Sequence, residues 1–259
     1  MENKDIMSGL AKGLATIETF TADSPRQSIA QVAAASGLDR ATARRCLLTL
    51  AHLGFADYDG KFFTLTPRIM RLGTACLATM PLPQIVQPLL DRLSDELGQS
   101  TSVSILDGGE IIYIARAAQR KVMSISLTPG SRLPAYCTSM GRVMLSALPH
   151  DQIDSMVLAD SAGPTDSTGL AARTPNTITD AAVLLAELAR VRDQGYAVID
   201  QEVELGLISI AVPIYDARGR VVAALNIGLS SHHADAGQLA ALYLDKLTAI
   251  QSELRKMLL

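Results

Sequence analysis

SIAQVAAASGLDRATARRCLLTLAHLGFADYDGKFFTLTP, residues 28–67, decides the fold of the N-terminal third. Ser28 precedes IAQVAAAS as a helix N-cap, its hydroxyl able to take an orphan amide of the first turn. Gly37 is the natural left-handed stop after Ser36, and Leu38 can pack back under the turn. Asp39 caps a further helix, RATARRCLLTLAHLG, which Gly54 ends. Its apolar positions Ala43, Leu47, Leu50 and Leu53 form one stripe, while Arg40, Arg44 and Arg45 point elsewhere. FADYDGKFFTLTP then reads as a hairpin, because Asp59-Gly60 supplies the positive φ of a type I′ turn. Upstream, Leu10, Leu14, Ile17 and Phe20 recur at helical spacing and predict a first helix over 9–21. Three helices and a two-stranded hairpin make a winged helix-turn-helix.

Downstream, Pro67 closes the wing, and RIMRLGTACLATM reads as a linker helix over 68–80 leading to Pro81-Leu82-Pro83. The expected division is a reader at 1–67, the linker helix at 68–80 and a second domain at 81–259. That domain opens with a helix over 84–98. TSVSILDGGEIIYIARAA follows as a hairpin turning at 107–110, and KVMSISL as a third strand. A loop at 129–138 leads to short helices at 139–148 and 150–159. A polar stretch, 160–178, precedes an amphipathic helix at 179–194. YAVIDQ, GLISIAVPIYD and GRVVAALNIGL give three more strands, and a helix over 235–258 ends the chain. Six strands in two meanders predict an antiparallel sheet covered on one side. The fold class is therefore α+β: a winged helix-turn-helix, a linker helix and a GAF/PAS-like domain.

Composition narrows the function classes. Hydrophobic residues make up 48% and charged residues 19%, enough for a filled core. No apolar run is long enough to cross a bilayer, and MENKDIMSGLAKG lacks a signal-peptide core, so a cytoplasmic protein without membrane contact is expected. Cys46, Cys76 and Cys137 are odd in number and widely spaced, which argues against a disulfide frame or a zinc site. His52, His150, His232 and His233 offer no ligand spacing, and no cofactor is expected. The net charge is −3, yet residues 1–80 hold nine Lys and Arg against seven Asp and Glu. That leaves +2 in the N-terminal part and −5 in the remainder, as expected if only the first part meets phosphate.

A recognition helix buries one face and offers short or bidentate side chains to base edges. Arg40, Thr42, Ala43, Arg44 and Arg45 lie in the N-terminal half of the third helix, which enters the major groove of a double-stranded operator. Arg pairs two acceptors of guanine, and a Thr42 or Ala43 methyl can touch thymine. Arg26 and the wing-tip Lys61 suit phosphates. Alone, the arginines could be a solvated face; helix, glycine turn, Arg-rich helix and wing together point to DNA.

The chain resembles the IclR family of transcription regulators along nearly its whole length. SIAQVAAASGLDRATARRCLLTLAHLGF carries the resemblance in the first part, SRLPAYCTSMGRVMLS and GLISIAVPIYDARGRVVAALNIG in the second. RLPAYCTSMGR is similar to the subgroup that responds to protocatechuate, 4-hydroxybenzoate or β-ketoadipate. The resemblance implies an effector pocket between the sheet and the 130–140 loop, with contacts at Ser139, Met140, Asp200, Ser209 and Asn226. Keto-acid sensors of the family often carry Gly-Ala where this chain has Ser139-Met140, which implies a different pocket; the resemblance leaves as the alternative a regulator that responds to a non-aromatic small acid such as a keto acid.

The residues themselves support an acid. Amides at the start of the 139–148 helix favour an anion, and Arg132 and Arg142 flank that start. Arg132 is the preferred carboxylate partner, Tyr136 offers an aromatic face, and Asp200 or Glu202 could accept a hydroxyl. Each has a plainer reading: Arg142 as an ion-pair residue, Ser209 as a strand neighbour, Asn226 in a bulge or turn. An enzyme would need a nucleophile with its base or paired acids, and no such set stands out; Cys137 with His150 has no third partner. A purely architectural DNA binder would have no use for the acidic second domain. Ile69, Leu72, Cys76 and Leu77 along the linker helix predict a homodimer or tetramer.

Overall fold

Ser28 and Asp39 cap two adjacent helices in the computed structural model, which describes residues 6–21, 23–119, 127–153 and 170–258, with backbone alone at 75–78. Contacts divide the chain at Thr79/Met80. The N-terminal unit holds α1 (Ser8–Glu18), β1 (Arg26–Gln27), α2 (Ile29–Ser36) and α3 (Arg40–His52). It continues with β2 (Ala56–Tyr58), β3 (Phe63–Leu65) and α4 (Met70–Thr79). Ser28 and Gln31 form a reciprocal capping box, and Gly37 at φ 67° turns the chain out of α2. Val32, Ala33, Ala43, Leu47, Leu50, Ala56 and Phe63 make the buried core.

The wing differs from the sequence reading in two respects. Its sheet has three strands in the order β1-β3-β2, because Arg26 and Gln27 pair with Thr64 and Phe63. Its turn is also longer than a type I′ pair, since Tyr58 lies opposite Phe63. The Asp59 carboxylate explains this by accepting the amides of Lys61 at 2.9 Å and Phe62 at 2.8 Å.

The C-terminal unit begins at once with α5 (Pro81–Leu97) rather than at residue 84. Pro81 takes the first helical position, where no amide partner is needed. Then come β4 (Ser100–Asp107), β5 (Glu110–Ala117), β6 (Arg132–Pro134), α6 (Ser139–Ser146) and α7 (His150–Ile153). They are followed by α8 (Ala181–Gln194), β7 (Ala197–Asp200), β8 (Leu207–Tyr215), β9 (Val221–Ser230) and α9 (Leu239–Met257). The six strands form one antiparallel sheet in the order β6-β5-β4-β9-β8-β7. The expected strand KVMSISL lies largely outside the described residues, as does the end of the 150–159 helix. Among the described residues, the sixth strand of the sheet is β6, inside the stretch read as a loop.

Helices cover both faces of this sheet, not one. Alternation along β8 sends Ile208, Ile210, Val212 and Ile214 to the core under α5 and α9. Leu207, Ser209 and Ala211 face α6. Gly141 lets α6 sit against the preceding 3-10 turn, Ala135–Cys137; a Cβ there would lie 2.1 Å from the Ala135 carbonyl oxygen.

Candidate DNA-reading face and effector cavity

Asp39 fixes the start of α3 by accepting the Thr42 amide at 2.9 Å and the Thr42 hydroxyl at 2.7 Å. Those hydrogen bonds hold its carboxyl below the ordinary carboxylate value. Arg40, Arg44 and Arg45 are exposed and form no ion pair among the described residues. Ala43, in contrast, is fully buried in the core, so its methyl group is not available to a thymine. Residue 43 faces inward with Leu47 and Leu50 because the three recur at helical spacing. Arg26 is tied into the wing, 2.5 Å from Asp59 and stacked 4.2 Å from the Phe62 ring centroid. Lys61 is exposed at the tip, 5.2 Å from the same ring.

In the C-terminal unit, the face of the sheet under α6 carries a polar patch within an apolar wall. Ser102 of β4 lies opposite Arg116 of β5 on one side and Asn226 of β9 on the other, a single row across three strands. A β-bulge at Ile114 puts Tyr113 and Arg116 on this same face, although they are three positions apart and strict alternation would oppose them. Tyr113, Arg116 and Asn226, together with Ser139 and Met140 of α6, Leu133, Ile199, Val203, Leu207 and Ser209, line a cavity of about 20 Å³. That is room for one water.

Hydrogen bonding in the cavity is incomplete. The Ser139 and Ser209 hydroxyls pair at 2.7 Å, and the Ser104 hydroxyl lies 3.2 Å from the Met140 sulfur. Arg116 donates from Nη1 to Ser102 at 2.8 Å, but among the described residues its buried Nε–H has no partner, nor has Asn226 Oδ1. Burial pulls the Arg116 guanidinium below its ordinary value and pushes the Tyr113 phenol up to about 12, so Tyr113 stays a neutral donor. A buried donor and a buried acceptor left open in one small cavity are the groups a ligand would satisfy.

Four residues expected at this site line it: Ser139, Met140, Ser209 and Asn226. Three do not. Arg132 pairs with Ile112 on the opposite face of β6 and is held by Asp107 at 2.8 Å and Glu110 at 2.6 Å, which occupy its charge. Its neighbour Leu133 points into the cavity instead. Asp200 is exposed opposite Ile208, the face away from α6, because Ile199 takes the inward position. Tyr136 is buried beside the cavity and donates its hydroxyl to the Ala171 carbonyl at 2.6 Å. Glu202 is committed to Arg142, which is 2% exposed and also donates to the Tyr136 carbonyl at 2.9 Å.

An exposed Arg-rich helix in a winged reader, joined to a separate α+β domain, defines a DNA-binding regulator. Comparison with known proteins supplies the family. Residues 9–60 match the IclR helix-turn-helix domain, and residues 74–253 match the bacterial transcriptional regulator IclR C-terminal domain. The chain belongs to the IclR family of transcription regulators, proteins that act on DNA rather than as enzymes. It is 43% identical to the Pca regulon regulatory protein of Pseudomonas putida, over 96% of this chain and 84% of that one. It is 36% identical to the p-hydroxybenzoate hydroxylase transcriptional activator of Acinetobacter baylyi, over 99% and 94%. A solved transcriptional regulator of Rhodococcus sp. RHA1 is 40% identical with a TM-score of 0.74, covering 98% of both chains.

Proposed function

We propose that this protein is an effector-responsive regulator of aromatic-acid catabolic genes, in which a small carboxylic acid held between the sheet and α6 alters operator binding. The observation that carries the site is the open Nε–H of Arg116 at the cavity wall. A carboxylate suits that donor, and a charge-assisted bond shielded from water contributes about 1.5–3 kcal/mol. Leu133, Val203, Leu207 and Met140 supply apolar surface for the body of the acid. Met140 is the residue best able to make room, being unbranched with three rotatable bonds. Ser139, Ser209 and Asn226 complete the polar lining. The names of the two curated relatives agree with an acid of aromatic catabolism: a hydroxybenzoate, protocatechuate or the ring-cleavage product β-ketoadipate.

In this scheme residues 1–67 read DNA through Arg40, Arg44, Arg45 and Lys61, residues 68–80 link, and the GAF-like domain at 81–259 senses. The protein works in the cytoplasm; no helix among the described residues is long and apolar enough to cross a membrane. A homo-oligomer follows from the apolar residues left exposed on α1 (Leu10 and Leu14) and α4 (Met70 and Leu72). Two readers then meet two half-sites.

The test is fluorescence anisotropy of a selected operator with the full-length protein, with and without 4-hydroxybenzoate, protocatechuate and β-ketoadipate. At least one acid shifts operator affinity, by no more than its differential affinity for the two states. No shift and no calorimetric binding at millimolar acid would overturn the proposal.

A further inference from the structure

Resting on that reading of the cavity, we infer that Gln87 of α5 is a positioning residue that couples the cavity to the linker, by clamping the main chain of Arg116. β6 covers the outer edge of β5 only at Glu110–Ile112, and the Tyr113 main chain is taken by Gly130 and Ser131. Farther along that edge a side chain takes the place of a strand. Gln87 donates from Nε2 to the Arg116 carbonyl at 3.1 Å, and its Oε1 accepts the Arg116 N–H at 3.3 Å. Its other Nε2 hydrogen goes to Asp91 Oδ1 at 2.8 Å. Both amide donors are thus used, and a reversed carboxamide would set Oε1 against the Asp91 carboxylate.

Three environments meet at this point of β5. The Arg116 side chain lines the cavity on the α6 face. Ile114 and Ala115, just before it, lie in the core that α5 shares on the other face. The Arg116 main chain is gripped by Gln87 at the edge between the two faces. Side chain and main chain share one Cα, so a ligand that draws the guanidinium also moves the peptide in that grip. The bulge at Ile114 is where β5 can give. The 3.3 Å bond is already long for an N–H···O contact, and a shift of roughly 0.3 Å takes it out of range. α5 therefore has two arrangements, gripped and released. It is the first element of the C-terminal unit, and only Met80 separates it in the chain from α4. An acid that fits one arrangement better passes that preference to the linker, by no more than its differential affinity.

The test measures operator affinity of the full-length protein by anisotropy, with and without saturating 4-hydroxybenzoate, protocatechuate or β-ketoadipate, and the affinity for each acid by calorimetry. The ratio of the two operator affinities is the coupling factor, which in coupled proteins is typically about 5–150-fold. Gln87→Met keeps the side-chain length and loses both polar atoms. It should bind the acid, and when empty the operator, within about threefold of wild type, while the coupling factor falls to within about twofold of one. Arg92→Ala, which unties α5 from Glu253 of α9, is the control and keeps the wild-type factor. An unchanged factor in Gln87→Met marks a structural staple and overturns the inference, as does an equal loss in Arg92→Ala. If Gln87→Met does not fold, hydrogen exchange of the wild-type protein decides. The acid that shifts operator binding must then change exchange in peptides covering residues 81–97, and unchanged exchange there overturns the inference. These outcomes leave the acid-sensing role intact; a wild-type protein whose operator binding none of the three acids shifts overturns both.

Discussion

Replacing Gly141 by alanine puts one methyl group between α6 and the turn before it. The added Cβ would lie 2.1 Å from the Ala135 carbonyl oxygen, 2.4 Å from its Cα and 2.5 Å from Thr138 Oγ1. Two of those atoms are backbone and cannot rotate away, so α6 must retreat by roughly 1 Å from a close-packed interior. The retreat stretches the Arg142 bond to the Tyr136 carbonyl and displaces Ser139 from Ser209. Overpacking a core typically costs about 1–3 kcal/mol, and a clash with fixed backbone belongs at or above the top of that range. Alanine's better helix propensity returns at most about 1 kcal/mol. A net loss of about 2–3 kcal/mol lowers the melting temperature of a unit this size by roughly 4–12 °C. Scanning calorimetry of the full-length protein measures it, with Gly13→Ala in α1 as the control. Nothing lies within 4 Å of a Cβ at Gly13, so that variant should be neutral or slightly stabilised. A Gly141→Ala protein that melts like wild type would refute the packing account of α6.

Arg142→Met leaves Glu202 buried without its cation and should cost about 3–5 kcal/mol in denaturant unfolding. Arg44→Ala and Arg45→Ala should each weaken specific operator binding by about 1–3 kcal/mol, read by mobility shift. Lys61→Ala should weaken binding to all sequences and lower the salt slope by about one; Ala43→Leu should lower the reader's melting temperature instead, because residue 43 is core. Burial pushes the Cys137 thiol up to about 12, so it stays protonated and inert to a disulfide reagent at mildly alkaline pH, while half-buried Cys46 reacts before it; mass spectrometry of the modified peptides checks the order.

The reader was legible because its signals are local. Ser28, Gly37 and Asp39 act within one helical turn of themselves, and each appears in the structure in the role its residue type predicts. The short strands were not legible. β1 and β6 are two and three residues long, too short for any periodicity, and exist only through pairing with distant strands. Arg132 was misplaced in the same way. Nearness in sequence to α6 favoured Arg132, but β6 alternation turns that side chain to the far face. Arg116 lies 23 positions before Ser139 and reaches the cavity through sheet register and the bulge at Ile114. Strict alternation would have put Tyr113 and Arg116 on opposite faces, so the period-two rule itself hid the residue. Ser209 and Asn226 were reachable because the family resemblance, not the spacing, marked them.

The most direct test compares Arg116→Met with Arg132→Ala in operator-binding titrations, each with and without the acid that shifts the wild-type protein. The account predicts that both variants bind DNA like wild type when empty, that Arg132→Ala keeps the full ligand shift, and that Arg116→Met loses it. A normal shift in Arg116→Met, or its loss in Arg132→Ala alone, would contradict the placement of the effector between the sheet and α6.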